Sequence, residues 1–441
     1  MYFIYNIILA ALTVFLLPYY YIRSLRSGEK INLRERFALY NQNHNLDILF
    51  PAEKVIWVQA ASAGETLAAQ KLTNKLRNKY PKARIIFSTM TASGKKLARK
   101  KIDTADLIIY LPYDLSFVVK KAVNIFKPDL FIMIETELWP NLIKALDESG
   151  AQILLASGRI SDDSFSQYKY LGSLLEDMLS RVDIFSMQDQ EAAEKIKELG
   201  APEDHVCVNG NLKYDLDLDP PEKEEYYSKI EMFNITEETK VLTAGSTHQG
   251  EEEIILETYK KLKKDFSDLK VMLAPRYVER RDELIRLCRA NELQSVLYSD
   301  LKRNNSKADK NTDIIIIDTM GELSQLYYYA DLVFVGGTLV NNGGHNVIEP
   351  AARAKLVLFG PSMYNFKEER EFLLNNEIAF EVENEDDLYE KCFQLLINDQ
   401  FREKRAEKSE SLISENRGSV KKHLQLIDVL LKQGVDNYAG E

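Results

Sequence analysis

Cysteine is scarce in this chain of 441 residues: Cys207, Cys288 and Cys392 stand far apart and are odd in number. Three thiols so spaced exclude a disulfide frame and a cysteine zinc cluster, and fit reduced, buried side chains in a cytosolic compartment. Histidine is scarce too. His44, His205, His248, His345 and His423 are scattered without paired ligand spacing, so no metal is expected. The Walker A and G-x-G-x-x-G spacings are both missing, which excludes an ATPase loop and the usual dinucleotide site. Positive charge also falls short, with 57 Lys and Arg against 68 Asp and Glu. The net charge of −11 argues against nucleic acid as a partner.

Apolar residues are plentiful. At 45% hydrophobic the chain can bury a large core, and its length points to two domains with an appendage. Candidate strands fall at 55–60, 84–88, 107–111, 130–134, 152–156 and 183–187. A second series follows at 241–245, 270–274, 313–317, 331–335 and 356–359. Most are continuous Ile, Val, Leu and Phe runs, as parallel strands covered on both faces require. After the first strand, Ala68, Leu72, Leu76 and Tyr80 repeat every four residues, a core-facing helical stripe. The alternation predicts an α/β fold of two Rossmann-like, doubly wound domains facing across a cleft.

"DLDLDPPEKEE" at 215–225 reads as the linker between them. The expected division is 1–29 as membrane anchor with a basic flank, 30–215 as first domain and 216–225 as linker. A second domain at 226–415 and a C-terminal helix or tail at 416–441 complete it. "KRNNSKADKN" at 302–311 reads as a loop.

"FIYNIILAALTVFLLPYYYI" at 3–22 carries no charge and is long enough to cross a hydrocarbon core of roughly 30 Å. Arg23, Arg26, Lys30, Arg34 and Arg36 follow, and such a flank stays cytoplasmic. Tyr19, Tyr20 and Tyr21 suit the membrane interface. Pro18 and Asn6 leave open a helix lying in the interface instead of spanning it. Either arrangement puts residues 30 onward on the cytoplasmic face of the membrane.

Several short stretches can carry chemistry, each beside a plainer reading. "ASAGE" fits a capping box, with Ser62 as N-cap and Glu65 three residues on. It also fits a lax nucleophile elbow around Ser62, or Glu65 as a general base. Glu65 as cap and Glu65 as base are rival rotamers. "LFIMIETELWPNLI" sets Glu135 and Glu137 at a strand's carboxyl end, where ligands bind in this architecture, or where either could cap the helix near Pro140. "LVFVGGTLVNNGGHNVIEPAA" joins a strand to the glycines 336, 337, 343 and 344 and a helix opening near Asn346. Loose glycines and a helix N-terminus suit a phosphate, and Glu349 a ribose. Arg276 in "VMLAPRY" follows a strand and can fork onto a phosphate. Gly321 and Glu322 open another helix, and Lys213 in "GNLKYD" lies near the domain junction. "DLDLD" mimics a metal-holding D-x-D element, but its place beside two prolines favours a solvated charge run.

Taken in order, "SAGE", "ETELWPNL", "GNLKYD", "AGSTHQGEEE", "APR", "TMGEL" and "GGHNVIEPAA…LFGPSMYNF" resemble the bacterial Kdo transferases. These are 3-deoxy-D-manno-octulosonic acid transferases of the GT-B type, and the resemblance runs from about residue 30 to about 415. It implies an inverting, metal-independent enzyme without a cofactor that moves Kdo from CMP-Kdo to the lipid A precursor. The implied base is Glu65, with Glu135 and Lys213 supporting the transition state. The implied CMP contacts are Pro275 and Arg276, then Met320, Gly321 and Glu322, then Asn346, Val347, Ile348 and Glu349. It also implies an enzyme at the inner leaflet of the bacterial inner membrane. Gln59, Tyr277 and Val347 depart from the family pattern, which has His, His and Pro there. The alternatives are another GT-B transferase using a UDP-sugar and a lipid acceptor, and a non-catalytic membrane-anchored nucleotide-binding protein.

Overall fold

The computed structural model describes residues 1–27, 32–40, 52–216 and 220–436, with backbone alone for 16–27 and 433–436. The chain divides into two units, Met1–Asp215 with Asn416–Glu441, and Leu216–Glu415. The first unit holds β1 (Val55–Gln59), β2 (Arg84–Thr89), β3 (Leu107–Tyr110), β4 (Leu130–Ile134), β5 (Gln152–Gly158), β6 (Ile184–Met187) and β7 (Val206–Val208). They form one sheet in the order β3-β2-β1-β4-β5-β6-β7, and every pairing is parallel. The second unit holds β8 (Lys240–Thr247), β9 (Leu269–Pro275), β10 (Ser295–Leu297), β11 (Ile314–Ile316), β12 (Leu332–Val335), β13 (Leu356–Phe359) and β14 (Ala379–Glu381). Its order, again all parallel, is β10-β11-β9-β8-β12-β13-β14. In the first sheet the chain winds outward from β1 to β3 and restarts at β4 on the other side. In the second it runs from β8 to β9, skips to the edge at β10, returns to β11 beside β9, and restarts at β12. The reversal falls between β1 and β4 in the first sheet and between β8 and β12 in the second. Connections diverge there, which leaves a crevice beyond the strand ends.

Burial explains the run-like strands. Ile56, Val58, Trp57, Phe131 and Ile132 are all fully buried, so both faces of the first sheet are covered. Trp57 meets Phe126 and Phe131 edge-on, each at 5.2 Å between centroids, and its indole N–H donates to Ser88 Oγ at 2.7 Å. A buried aromatic so partnered typically contributes ~3–5 kcal/mol against alanine. The edge strands β7, β10 and β14 were not expected, because each is three residues long and only partly buried. The equally short β11 lies in the longer run 314–317.

One boundary differs from expectation. The helix Lys223–Phe233 begins inside the expected 216–225 linker and buries Phe233, while residues 217–219 lie outside the described set. The expected C-terminal tail returns to the first unit. Its helix Ser419–Asp436 sets Val420, Ile427, Leu430 and Leu431 into the core beside Ile56 and Leu72. The 302–311 loop is helical as far as Asn304.

The N-terminal helix Tyr2–Ser27 lays its first turns on the first unit. The Tyr5 hydroxyl donates to Asp114 Oδ2 at 2.8 Å, Asn6 and Asn141 exchange amide hydrogen bonds at 2.9 and 3.2 Å, and Leu9 packs on the core. Phe3, Ile4, Ile7, Ile8, Leu12 and Phe15 remain exposed on the rest of the helix. Among the described residues no helix is long and apolar enough to cross a membrane, and the side chains of 16–22 lie outside them. So do those of Arg23, Arg26 and Lys30. Arg36, expected in the basic flank, instead covers the Tyr110 and Tyr113 rings at 4.7 and 5.3 Å. Next to it the buried Glu35 carboxylate binds Lys95 and accepts the Tyr110 N–H at 2.8 Å.

Candidate active site

In the first unit the crevice between β1 and β4 gathers the predicted catalytic residues. Ser62 is extended and N-caps the helix Ala63–Lys79, its Oγ accepting the Glu65 N–H at 3.4 Å. The Glu65 carboxylate folds back over the same turn. Its Oε2 accepts the Ala61 N–H at 2.5 Å and its Oε1 accepts the Ser62 hydroxyl at 3.0 Å. The capping box therefore forms, reaching one residue further back than the usual N-cap amide. Burial pushes the Glu65 carboxyl up to about 7, the Glu135 charge adds to the rise and Glu137 less so, while the Ala61 N–H and Ser62 hydroxyl oppose it. The capped rotamer is therefore occupied by a carboxylate that holds its proton near neutrality, the value a general base needs.

Glu135 follows β4 directly, at φ 59°, a left-handed conformation that strains a non-glycine residue and often marks function. Lys213 Nζ lies 3.1 Å from its Oε1. That oxygen is buried and makes no aligned hydrogen bond, so the contact is one of charge. Lys213 rides on the 3-10 turn Leu212–Tyr214, where Asn211 Oδ1 accepts its N–H at 2.9 Å. Ser157 Oγ accepts the Leu212 N–H at 3.3 Å, and the Ser157 N–H donates to His423 Nε2 at 3.1 Å. Asp215 caps the C-terminal helix by accepting the Gly418 N–H at 2.7 Å and the Val420 N–H. The first carboxylate of "DLDLD" is thus a helix cap. Among the described residues no cluster of three potential ligands could hold a metal.

Neither Glu135 nor Glu137 caps the helix Pro140–Glu148. Asp114 does, accepting the Asn141 and Leu142 N–H groups at 3.0 and 2.7 Å. Glu137 accepts the Trp139 indole N–H at 2.9 Å; burial pushes its carboxyl up, the indole opposes this, and Glu135 adds to the rise. Gln59 is fully buried. Its Oε1 accepts the Ser88 hydroxyl at 2.5 Å and its Nε2 has no partner among the described residues.

In the second unit the glycine-rich loop does not present the free amides its sequence suggests. The N–H groups of Gly337, Thr338 and Leu339 donate to the Glu251 carboxylate at 2.7, 2.9 and 3.0 Å, and His248 N–H joins them at 2.9 Å. Glu251 is fully buried and fills the nest an anion would otherwise occupy. Gly336 permits a close approach, since a Cβ there would stand 2.6 Å from Thr247 Cα. The helix after Asn346 is only Ile348–Ala351, and Asn346 Oδ1 already accepts the Ile348 and Glu349 N–H groups at 2.9 and 3.4 Å. Val347 and Ile348 are buried and Pro275 ends a buried strand. Arg276, Met320 and Gly321 are exposed, and Glu349 is half-buried. Glu322 accepts Lys302 at 2.8 Å. Sequence spacing missed one pair: His248 and His345 meet with Nε2 atoms 3.0 Å apart. The signal available was position: His248 directly follows β8, and His345 lies in the glycine-rich loop after β12.

Two doubly wound parallel sheets, each with its polar cluster at the switch point, define the architecture of nucleotide-sugar enzymes such as the GT-B glycosyltransferases. The UDP-GlcNAc 2-epimerase of Neisseria meningitidis bound to UDP-GlcNAc shares the fold, with a TM-score of 0.51, 13% identity, and coverage of 86% of this chain and 100% of that one. Residues 31–216 match the family described as 3-Deoxy-D-manno-octulosonic-acid transferase (kdotransferase). The 3-deoxy-D-manno-octulosonic acid transferase of Haemophilus influenzae is 32% identical over 406 residues, 91% of this chain and 92% of that protein. A bifunctional glycosyltransferase/methyltransferase of Fusobacterium nucleatum is 37% identical over 370 residues, 83% of this chain but 56% of that protein. The chain belongs to the 3-deoxy-D-manno-octulosonic acid transferase family and is a glycosyltransferase.

Proposed function

We propose that the protein transfers Kdo from CMP-Kdo to a hydroxyl of the lipid A precursor, in lipopolysaccharide core synthesis, by direct displacement with inversion. The observation that carries the mechanism is the Glu65–Glu135–Lys213 cluster at the first switch point. An alcohol is a poor nucleophile at neutral pH, so its proton must pass to a base as it attacks. Glu65, swung from its capped rotamer toward the acceptor, takes that proton, the hydroxyl oxygen bonds to the anomeric carbon, and the electron pair of the breaking bond leaves with CMP. Glu135 keeps the Glu65 proton affinity high, and Lys213 supplies positive charge for the negative charge that develops. On the second unit Arg276, exposed and without an ion pair among the described residues, suits the donor phosphate.

The N-terminal helix holds the enzyme at the cytoplasmic face of the inner membrane, lying in the interface. Its first turns hydrogen-bond to the first unit and its apolar residues point away, an arrangement that favours lying over spanning. Anchoring raises the effective concentration of an acceptor confined to that surface.

The deciding experiment is transfer of labelled Kdo from CMP-Kdo to a lipid A precursor in detergent, wild type against Glu65→Gln. Transfer by the wild type alone is expected, and a folded wild type that transfers nothing overturns the proposal. Thermal protection by UDP but not CMP would instead favour a UDP-sugar donor.

A further inference from the structure

His248 and His345 come from loops on either side of the β8/β12 switch point and lie 97 residues apart in sequence. Their Nε2 atoms are 3.0 Å apart and their rings nearly parallel, at 6°. Two neutral imidazoles so placed share one proton. The ring that donates Nε2–H has a bare Nδ1, and the ring that accepts carries Nδ1–H. Neither Nδ1 has a partner among the described residues, and both rings are half-buried. The pair therefore leaves one donor and one acceptor unmatched among the described residues, and one added proton would make both positions donors.

The surroundings are built to hold this pair in place. The His248 and Gly337 N–H groups bind the same Glu251 Oε2 at 2.9 and 2.7 Å, which ties both loops to one buried carboxylate. Gly337 lies against the two rings: at φ 71°, a Cβ there would stand 3.2 Å from His345 and 3.4 Å from His248. From β9 the Arg276 N–H donates to Thr247 O at 2.9 Å, and the Tyr277 ring meets His248 edge-on at 5.8 Å. The charged groups facing the pair are Arg276, Arg280 and Glu251. Burial and then the arginines outweigh the attraction of Glu251 and lower His248, while burial, Arg276 and His248 bring His345 to about 4. Unliganded, the pair is neutral at pH 7.

Because Glu251 fills the loop's amide nest, a phosphate needs other donors. We propose that the His248–His345 pair is a phosphate contact of the donor site, which binds an anionic oxygen beside Arg276 and takes up one proton from solvent as it does so. The inference rests on the second unit being the CMP-sugar site. Burial first and the arginines second keep the pair neutral, and a bound anion opposes both by favouring the charged form, so proton and anion bind together. A dianionic monoester, the product state, draws the proton more strongly than the singly charged diester of the donor. The pair thus balances the charge that reaches the phosphate as the bond to the sugar breaks.

The test is calorimetry of CMP binding to the full chain at pH 7.5, in buffers of differing ionisation enthalpy, with 31P NMR to show that bound CMP stays dianionic. The wild type should take up a measurable fraction of a proton. His345→Asn and His248→Asn should abolish the uptake and weaken CMP about tenfold or more, while cytidine binds all three proteins alike. Melting curves check that each variant folds. If one does not, the other variant and the wild-type proton count decide. CMP binding without proton uptake, or uptake kept in every folded variant, overturns this inference and leaves the nucleotide reading standing. Failure of CMP to bind the wild type overturns both. Uptake seen with the free sugar acid but not with CMP assigns the pair to a carboxylate and overturns the phosphate assignment.

Discussion

The Glu65 carboxylate accepts the Ala61 backbone N–H at 2.5 Å while the Glu135 charge raises its proton affinity. One side chain thus caps the helix that carries it and is poised near neutrality. Transfer should follow an acid limb with a midpoint near 7, since only the ionised form accepts a proton. Glu65→Gln should lose about 10²–10⁴ in rate. The stability effect runs the other way. A carboxyl raised from 4.5 to about 7 favours the fold below 4.5 and loses that contribution as pH rises through 7. Glutamine can still accept the Ala61 N–H, so Glu65→Gln should be the more stable protein at pH 8, by about 1–3 kcal/mol, and the gap should close by pH 4.5. Rate profiles and melts across pH check both signs.

Ser62→Ala separates cap from nucleophile. It removes the hydroxyl that accepts the Glu65 N–H and donates to Glu65 Oε1. Stability should fall by about 0.5–2 kcal/mol. That hydroxyl also holds the Glu65 proton affinity down, so the acid limb should move to higher pH while the plateau rate stays largely intact. Abolished activity at every pH would instead make Ser62 a nucleophile.

Glu135 and Lys213 should move the same limb in opposite directions. Glu135→Gln removes the charge that raises Glu65, and the limb shifts to lower pH. Lys213→Ala leaves the Glu135 carboxylate unpaired beside Glu65, so the limb shifts up and the plateau falls by about 10² or more. Joining the two substitutions should cost less than the sum of their separate effects, because the pair makes one contact. Strict additivity would place the two residues in independent roles.

Continuous apolar runs made both sheets legible in the sequence, since parallel strands buried on two faces admit little else. The place of Glu135 directly after β4, and of Glu65 in the first turn of the helix after β1, was legible too. The roles given to them and to Lys213 came from the family resemblance and not from the stretches themselves. What sequence concealed were side chains acting across long separations. Asp114 caps a helix 27 residues further on, Glu251 fills a nest formed 86 residues away, and His423 reaches Ser157 across 266. A local pattern holds no trace of such contacts. The glycine-rich loop misled for a related reason, because its amides look free until the buried carboxylate that takes them is found.

The N-terminal helix yields a membrane prediction. Replacing Phe3, Ile4 and Ile7 with Asp removes exposed apolar area without touching Tyr5 or Asn6, which hold the helix to the first unit. Sedimentation with anionic vesicles should fall several-fold, while transfer to a detergent-dispersed acceptor stays close to wild type. Unchanged vesicle binding would move the membrane contact to residues beyond the first two turns.

His423 tests whether the C-terminal helix positions Lys213. The ring is fully buried, its Nδ1 bonds the Ser419 carbonyl at 2.7 Å, and its Nε2 accepts the Ser157 N–H. Ser157 in turn holds the turn that carries Lys213. Burial lowers His423 to about 4, so it gives stability that is complete above 6.5 and lost as pH falls through 4. His423→Ala should therefore cost about 2–4 kcal/mol at pH 7.5, with the gap to wild type narrowing in acid. A purely structural role would lower the melting temperature and leave kinetics at low temperature intact. A positioning role should lower kcat several-fold with the CMP-sugar KM unchanged, and should move the acid limb the way Lys213→Ala does, because a displaced Lys213 no longer neutralises Glu135. If the acid limb stays in place while stability drops, the C-terminal helix serves the fold alone.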